Sequence, residues 1–194
     1  MSNTDRRHPR VLCSLVIIRD HGEFSPRSAI RSTAMFTVTR SRQTGARFSI
    51  DHRAFDRTAA RADILSGLAE RIPLDATVIA RASRTPRHYL RNSFAAGGPL
   101  PPADLQLLQR ERPDLDILPL QCANSVVEEI AAAYRIARAG PGSNILSRSR
   151  KAPEEAQCLW AAFLSSQISR RERVSLASGW EAWRAIERAR PLPF

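Results

Sequence analysis

The stretch "AFDRTAARADILSGLAERIPLDATVIARAS" (54–83) changes the spacing of apolar residues from every second position to the 3.6-residue period of an α-helix. The helical pattern ends at Pro73, because proline cannot continue a helix. The segment "DATVIARAS" (75–83) then has the short, β-branched composition of a buried strand. The apolar face of the helix consists of Phe55, Ala59, Ala62, Leu65, Ala69 and Ile72. A helix that turns directly into a strand predicts an α/β fold.

Three strands are predicted before this helix. The segment "VLCSLVIIRD" (11–20) is almost uniformly apolar, which is typical of a strand buried on both faces of a sheet. The segments "STAMFTVTRSR" (32–42) and "ARFSIDH" (46–52) alternate side chains of different polarity, as strands do. Gly45 lies in the turn between them and suits a β-hairpin. The chain is therefore expected to start with an antiparallel meander.

The segments that follow predict further helices and a fifth strand. Helical patterns cover "RTPRHYLRNSF" (84–94) and "PADLQLLQRER" (102–112). The segment "LDILPLQ" (115–121) is short and apolar, which predicts a strand, and its proline places that strand at an edge of the sheet. Ser125 and Glu128 then form the spacing of a capping box at the start of a helix.

The composition of the two ends differs from that of the region between them. Residues 1–10 are charged and are expected to be disordered, and the α/β domain is expected to span 11–140. Residues 141–152 mix glycine, serine and arginine, which predicts a basic linker. A helical extension is expected over 153–194. Its large aromatic residues, expected to form the core that docks its helices, are Trp160, Phe163, Trp180 and Trp183.

The charge of the chain favours an anionic partner. The formal net charge is +11 over 194 residues, and Lys151 is the sole lysine among 30 basic residues. Such an excess favours nucleic acid, DNA or RNA, although a GC-rich genome also favours arginine over lysine. The three cysteines are far apart in apolar runs, which predicts buried thiols in a reducing cytoplasm. The apolar run 11–18 is too short to span a membrane, so no membrane is expected as a partner.

The order of elements over residues 11–140, with the run quoted above, resembles the ribonuclease H-like fold. The resemblance implies a mixed five-stranded sheet flanked by helices, whose carboxylates hold two divalent metal ions for hydrolysis of a phosphodiester. Magnesium or manganese is the implied cofactor, because carboxylate oxygens suit hard cations. The candidate catalytic residues are Asp20, Asp63, Glu128 and Glu129, of which Asp20, Asp63 and Glu128 are the candidate metal ligands.

The sequence departs from the family pattern at two of the expected acids. The first strand contains no acid before Asp20 at its end, and the fourth strand ends in Arg81 where an acid is expected. Arginine in place of a metal-binding acid reverses the local charge, which predicts a degenerate metal site and favours phosphate binding.

Two groups of basic residues are candidates for contact with nucleic acid. One group follows the fourth strand, and the other lies around the linker and the start of the second C-terminal helix. Their members are Arg81, Arg84, Arg87, His88, Arg91, Arg148, Arg150, Lys151, Arg170 and Arg171. We therefore expect a nucleic-acid-binding protein. The alternatives are a protein-interaction module that binds its partner through the C-terminal helices, and an active metal-dependent nuclease.

Overall fold

The computed structural model describes most of the chain. The first nine residues and the helix predicted over 84–94 lie outside the described ranges. The described ranges are 10–20, 28–41, 45–82, 103–120, 124–140, 142–167 and 169–189.

Five strands form one mixed sheet in the described part of the chain. They are β1 (Val11–Arg19), β2 (Ile30–Ser41), β3 (Gly45–Ala54), β4 (Ala76–Arg81) and β5 (Asp116–Leu120). Their order across the sheet is β3-β2-β1-β4-β5. The pairs β1–β2 and β2–β3 are antiparallel, whereas β1–β4 and β4–β5 are parallel. The predicted α/β fold with a mixed five-stranded sheet is therefore confirmed.

Helices connect and cover the strands. They are α1 (Arg61–Arg71), α2 (Ala103–Glu111), α3 (Asn124–Ala133), α4 (Ile145–Arg150), α5 (Ala152–Gln167) and α6 (Arg170–Ala189). On one face of the sheet, α1 and α2 bury their apolar residues. On the other face, α3, α5 and α6 share a core with side chains of β1 and β2. Because β1 is central and covered on both faces, its sequence is nearly all apolar.

Helix α5 belongs to the main core. The Ser14 hydroxyl on β1 donates a hydrogen bond to the Ala156 carbonyl oxygen at 2.7 Å, so the helix backbone lies directly on the sheet. Trp160 is fully buried, and its ring meets Phe36 on β2 edge-on with centroids 5.5 Å apart. Trp180 on α6 is also fully buried and donates its indole N–H to Gln157 at 3.2 Å. The C-terminal region is helical, as expected, and its aromatic side chains stabilise the sheet.

The segment predicted as a basic linker contains a short helix, α4, over 145–150. The side chain of Asn144 accepts a hydrogen bond from the Ser147 backbone N–H at 2.9 Å and caps the helix. Ser149 is buried where α4 contacts β1 and β2. This segment therefore forms a helix despite a composition typical of linkers, because Asn144 caps it and β1 and β2 provide a surface for it to pack against. The domain boundaries proposed at 140 and 153 stay a prediction.

No helix in the described ranges has the length and apolar character needed to cross a membrane.

The packing of α5 predicts a large energetic difference between two apolar positions. Trp160→Ala should lower the free energy of unfolding by about 3–5 kcal/mol, because it removes a fully buried ring from the sheet–helix interface. Leu74→Ala is the control, since Leu74 is 81% exposed and its loss should cost less than about 0.5 kcal/mol. Urea unfolding followed by circular dichroism measures both. Equal small losses would contradict a structural role for α5.

Candidate functional site

The candidate site lies at the edge of the sheet where the parallel strands β1 and β4 end. The last residue of β3, Ala54, pairs with Ser32, and Ser32 pairs with Ile18 near the end of β1. Helix α1 follows β3 in the chain and therefore starts near this edge. Helix α2 brings Asp104, in its first turn, to the same edge. We call Arg19, Asp20, Arg57, Arg61 and Asp104 the edge cluster.

Arg19 and Asp104 form a buried ion pair at the centre of the edge cluster. Arg19 is 6% exposed and Asp104 is 2% exposed. The Arg19 Nε donates to Asp104 Oδ2 at 2.7 Å, and Arg19 Nη2 donates to Asp104 Oδ1. The Arg19 Nη1 donates to the backbone oxygen of Ser28 at 3.1 Å. Each nitrogen of the guanidinium therefore has an acceptor, which is the condition under which a charge can be buried.

Arg61 is a second guanidinium on the same carboxylate. From the first turn of α1, its Nε and Nη2 lie 3.0 and 2.8 Å from Asp104 Oδ1. The Arg61 side chain is 42% exposed, in contrast to Arg19. The single charge of Asp104 offsets one of the two guanidinium charges, so Arg19, Arg61 and Asp104 together keep a net positive charge. Buried Arg19 fixes the Asp104 carboxylate, and this carboxylate in turn holds the Arg61 guanidinium in a defined position at the surface.

Asp20 joins the two ends of the connection between β1 and β2. Its Oδ1 accepts the backbone N–H of Ala29 at 2.9 Å, and its own N–H donates to the Ala29 oxygen at 3.2 Å. The second oxygen, Oδ2, lies 3.4 Å from Arg57 Nε. Asp20 is 13% exposed and Arg57 is 72% exposed. Here too a largely covered acid contacts a guanidinium that faces solvent.

Within the described ranges, the other candidate catalytic carboxylates form no metal-binding group with Asp20. Asp63 is exposed on α1, whereas Glu128 and Glu129 are exposed on α3, which packs on the opposite face of the sheet. Among the residues that the structure describes, no three His, Cys, Asp or Glu side chains form a group that could hold a metal ion. At the edge cluster, both oxygens of Asp104 already accept from guanidiniums. These residues do not fit the two-metal site that the family resemblance implies.

The predicted basic residues are divided between three places. Arg81 is the half-buried last residue of β4, at the same edge as the edge cluster. Arg148 and Arg150 are exposed on α4, and the amine of Lys151 lies 3.7 Å from Glu154. Arg170 and Arg171 are exposed at the start of α6. The predicted residues outside the described ranges are Arg84, Arg87, His88 and Arg91.

Two cysteines can be assigned as buried thiols. Burial raises the pKa of Cys13 to about 11 and that of Cys158 to about 12. Both therefore stay protonated near neutral pH, which removes them as nucleophiles. The prediction of buried thiols is confirmed for these two residues, and Cys122 lies outside the described ranges.

The sequence did not single out Arg19, Arg61 or Asp104. Asp104 directly follows two prolines and an alanine at the start of a helix, where an acid is ordinary. Apart from Ser14 and Arg19, β1 is apolar. An arginine in such a strand is the one sequence signal that a buried counter-charge is needed. The partner is 85 residues away in the chain, so the spacing of residues could not identify it.

The strand order is compatible with a ribonuclease H-like topology. No family model matches the chain, and no curated protein matches it. The function therefore has to be argued from the chain's own residues.

The edge cluster predicts unequal roles for two aspartates. Asp104→Ala should lower the free energy of unfolding by about 3–5 kcal/mol, because Arg19 would stay buried without its counter-charge. Asp63→Ala, which removes an exposed acid from the first turn of α1, should cost about 0.5 kcal/mol. Urea unfolding of both variants beside the parent measures the difference. Similar losses in the two variants would contradict the buried pair.

Proposed function

We propose that the chain is a nucleic-acid-binding protein of ribonuclease H-like architecture, in which arginines stand at the sheet edge where a nuclease would hold metal ions. The observation that carries the proposal is the edge cluster. Its three arginines and two aspartates leave a net positive charge. Two of the arginines, Arg57 and Arg61, are the exposed ones.

Electrostatics favour an anion over a cation at this edge. A divalent cation that approached Asp104 would meet the positive charges of Arg19 and Arg61 on the same carboxylate. Displacing Arg19 would leave its guanidinium buried without a partner, which is costly. A phosphate oxygen would instead meet N–H donors of Arg57 and Arg61. The degenerate metal site is part of the proposal for this reason.

The way the exposed arginines are held also favours phosphate binding. Asp104 holds Arg61 through two contacts, so part of the entropy cost of ordering this long side chain is met before binding, and Asp20 lies 3.4 Å from Arg57 beside it. Phosphate contacts position a nucleic acid but carry no base information. Binding through the edge cluster should therefore depend weakly on sequence. The net charge of +11 adds a long-range attraction to the backbone.

The arrangement predicts a specific change in the salt dependence of binding. The double variant Arg57→Ala with Arg61→Ala should bind duplex more weakly and reduce the slope of log affinity against log salt by about 2, one for each lost phosphate contact. The matched control is Arg110→Ala, an exposed arginine in the last turn of α2, at the end opposite Asp104. Fluorescence anisotropy over a salt series measures the slopes.

Two outcomes would contradict this proposal. One is the absence of detectable binding by the parent at low salt. The other is a change in slope of about 1 for Arg110→Ala, half that of the double variant, which would show that any arginine of this basic chain contributes alike.

The proposal also predicts no hydrolysis that depends on the acids of the sheet edge. The parent and Asp63→Asn should leave labelled DNA, RNA and hybrid equally intact in magnesium or manganese, because no described group of carboxylates could hold two ions. Gel analysis over time measures cleavage. Turnover by the parent that is lost in Asp63→Asn would support the active nuclease instead.

A further inference from the structure

The longest exposed edge of the sheet belongs to β3. Within the described part of the chain, β2 is the one strand paired with β3, and β3 is ten residues long. Its register on β2 runs without a shift from the Ser32–Ala54 pair to the Ser41–Gly45 pair. β3 contains no proline, and proline and bulges are common means of blocking an edge against pairing. Such an edge is a template for a further strand.

The register identifies which backbone groups point outward. The N–H of Phe55 donates to the oxygen of Arg31 at 2.9 Å, in line with the β2–β3 register. Because hydrogen-bonded pairs alternate along an antiparallel ladder, the odd-numbered residues of β3 bond to β2. The N–H and C=O groups of Phe48, Ile50 and His52 therefore point away from β2, to the open edge.

We propose that two copies of this chain associate through β3, which pairs antiparallel with the β3 of a second copy about a two-fold axis at Ser49. Hydrogen bonds in such a pair need even-numbered residues opposite even-numbered residues, and an axis at Ser49 meets this condition. Phe48 then lies opposite Ile50 of the second copy. The two sheets become one continuous sheet of ten strands. This inference is independent of nucleic-acid binding.

Charge favours this axis over the axes at Ile50 and Asp51. With the axis at Ser49, Arg47 of each copy lies opposite Asp51 of the other copy, which gives two such pairs. Both are non-hydrogen-bonded pairs, in which opposing side chains are closest. With the axis at Ile50, Arg47 would face Arg53 of the second copy. With the axis at Asp51, two copies of Asp51 would face each other. Opposite charges directly across antiparallel strands are favourable and like charges are not.

The state of these side chains in the single chain fits the proposal. Arg47 is exposed, and no described acid forms an ion pair with it. Asp51 is 33% exposed; Arg71 holds its Oδ2 and Arg53 Nε lies 3.7 Å from its Oδ1, so the carboxylate is fixed on the face that Arg47 shares. Phe48 and Ile50 pack against the core yet stay half-buried at the edge. Pairing with a second copy would cover them.

A cysteine on the proposed axis tests the register. Ser49→Cys should form an intermolecular disulfide rapidly under mild oxidation, because the axis places this residue opposite its own copy in a non-hydrogen-bonded pair. Arg53→Cys is the matched control on the same strand face, since its own copy would lie roughly 25 Å away across the axis. The parent chain under the same oxidation gives the background from native cysteines. Non-reducing gel electrophoresis measures the product.

Sedimentation equilibrium of nuclease-treated protein tests the association itself. The parent should show the mass of a dimer, and Arg47→Asp should weaken the dimer roughly tenfold, because two attractions become repulsions. Arg171→Asp, at an exposed position on α6, is the control and should leave the dimer unchanged. A parent that stays monomeric at all concentrations would overturn the proposal. So would equal cross-linking of Ser49→Cys and Arg53→Cys.

Discussion

The buried ion pair between Arg19 and Asp104 is the constraint on which the candidate site depends. It joins the end of β1 to the start of α2, and Arg61 attaches the start of α1 to the same carboxylate. Burying a charge costs several kcal/mol, and the ion pair compensates that cost. The loss of either Arg19 or Asp104 would therefore leave the other charge buried and uncompensated. The pair therefore fixes three elements at one edge of the sheet. It also fixes the position of the exposed guanidinium of Arg61.

The packing of the sheet limits where a large partner can bind. Helices α1 and α2 cover one face, and α3, α5 and α6 cover the other. Two surfaces are left uncovered by these described helices: the edge where the parallel strands end, and the side of β3 that faces away from β2. Trp160 and Trp180 of the C-terminal helices, expected to form the core that docks those helices, are buried in the chain's own core. The alternative of a protein-interaction module that binds through the C-terminal helices stays a prediction.

The sequence predicts the sheet well because local patterns determine it. The uniformly apolar β1 and the alternation in β2 and β3 reflect their positions in the sheet. A local capping box also begins α6: the Ser169 hydroxyl accepts the Glu172 N–H at 3.4 Å and lies 3.1 Å from the Glu172 carboxylate. In contrast, α4 depends on docking against β1 and β2, and Asp104 finds Arg19 through the tertiary fold. The spacing of residues identifies neither contact, and the family resemblance pointed to Asp63 and Glu128 instead.

The most direct test of the account is the response of arginine side chains to nucleic acid. In nuclear magnetic resonance spectra of the ¹⁵N-labelled protein, the Nε–Hε signals of Arg57 and Arg61 should shift as an oligonucleotide duplex is added. The signal of buried Arg19 should persist, since its Nε–H stays bonded to Asp104, and the signal of Arg110 should stay in place. Shifts spread evenly over the exposed arginines, with none larger at Arg57 and Arg61, would contradict a phosphate-binding edge.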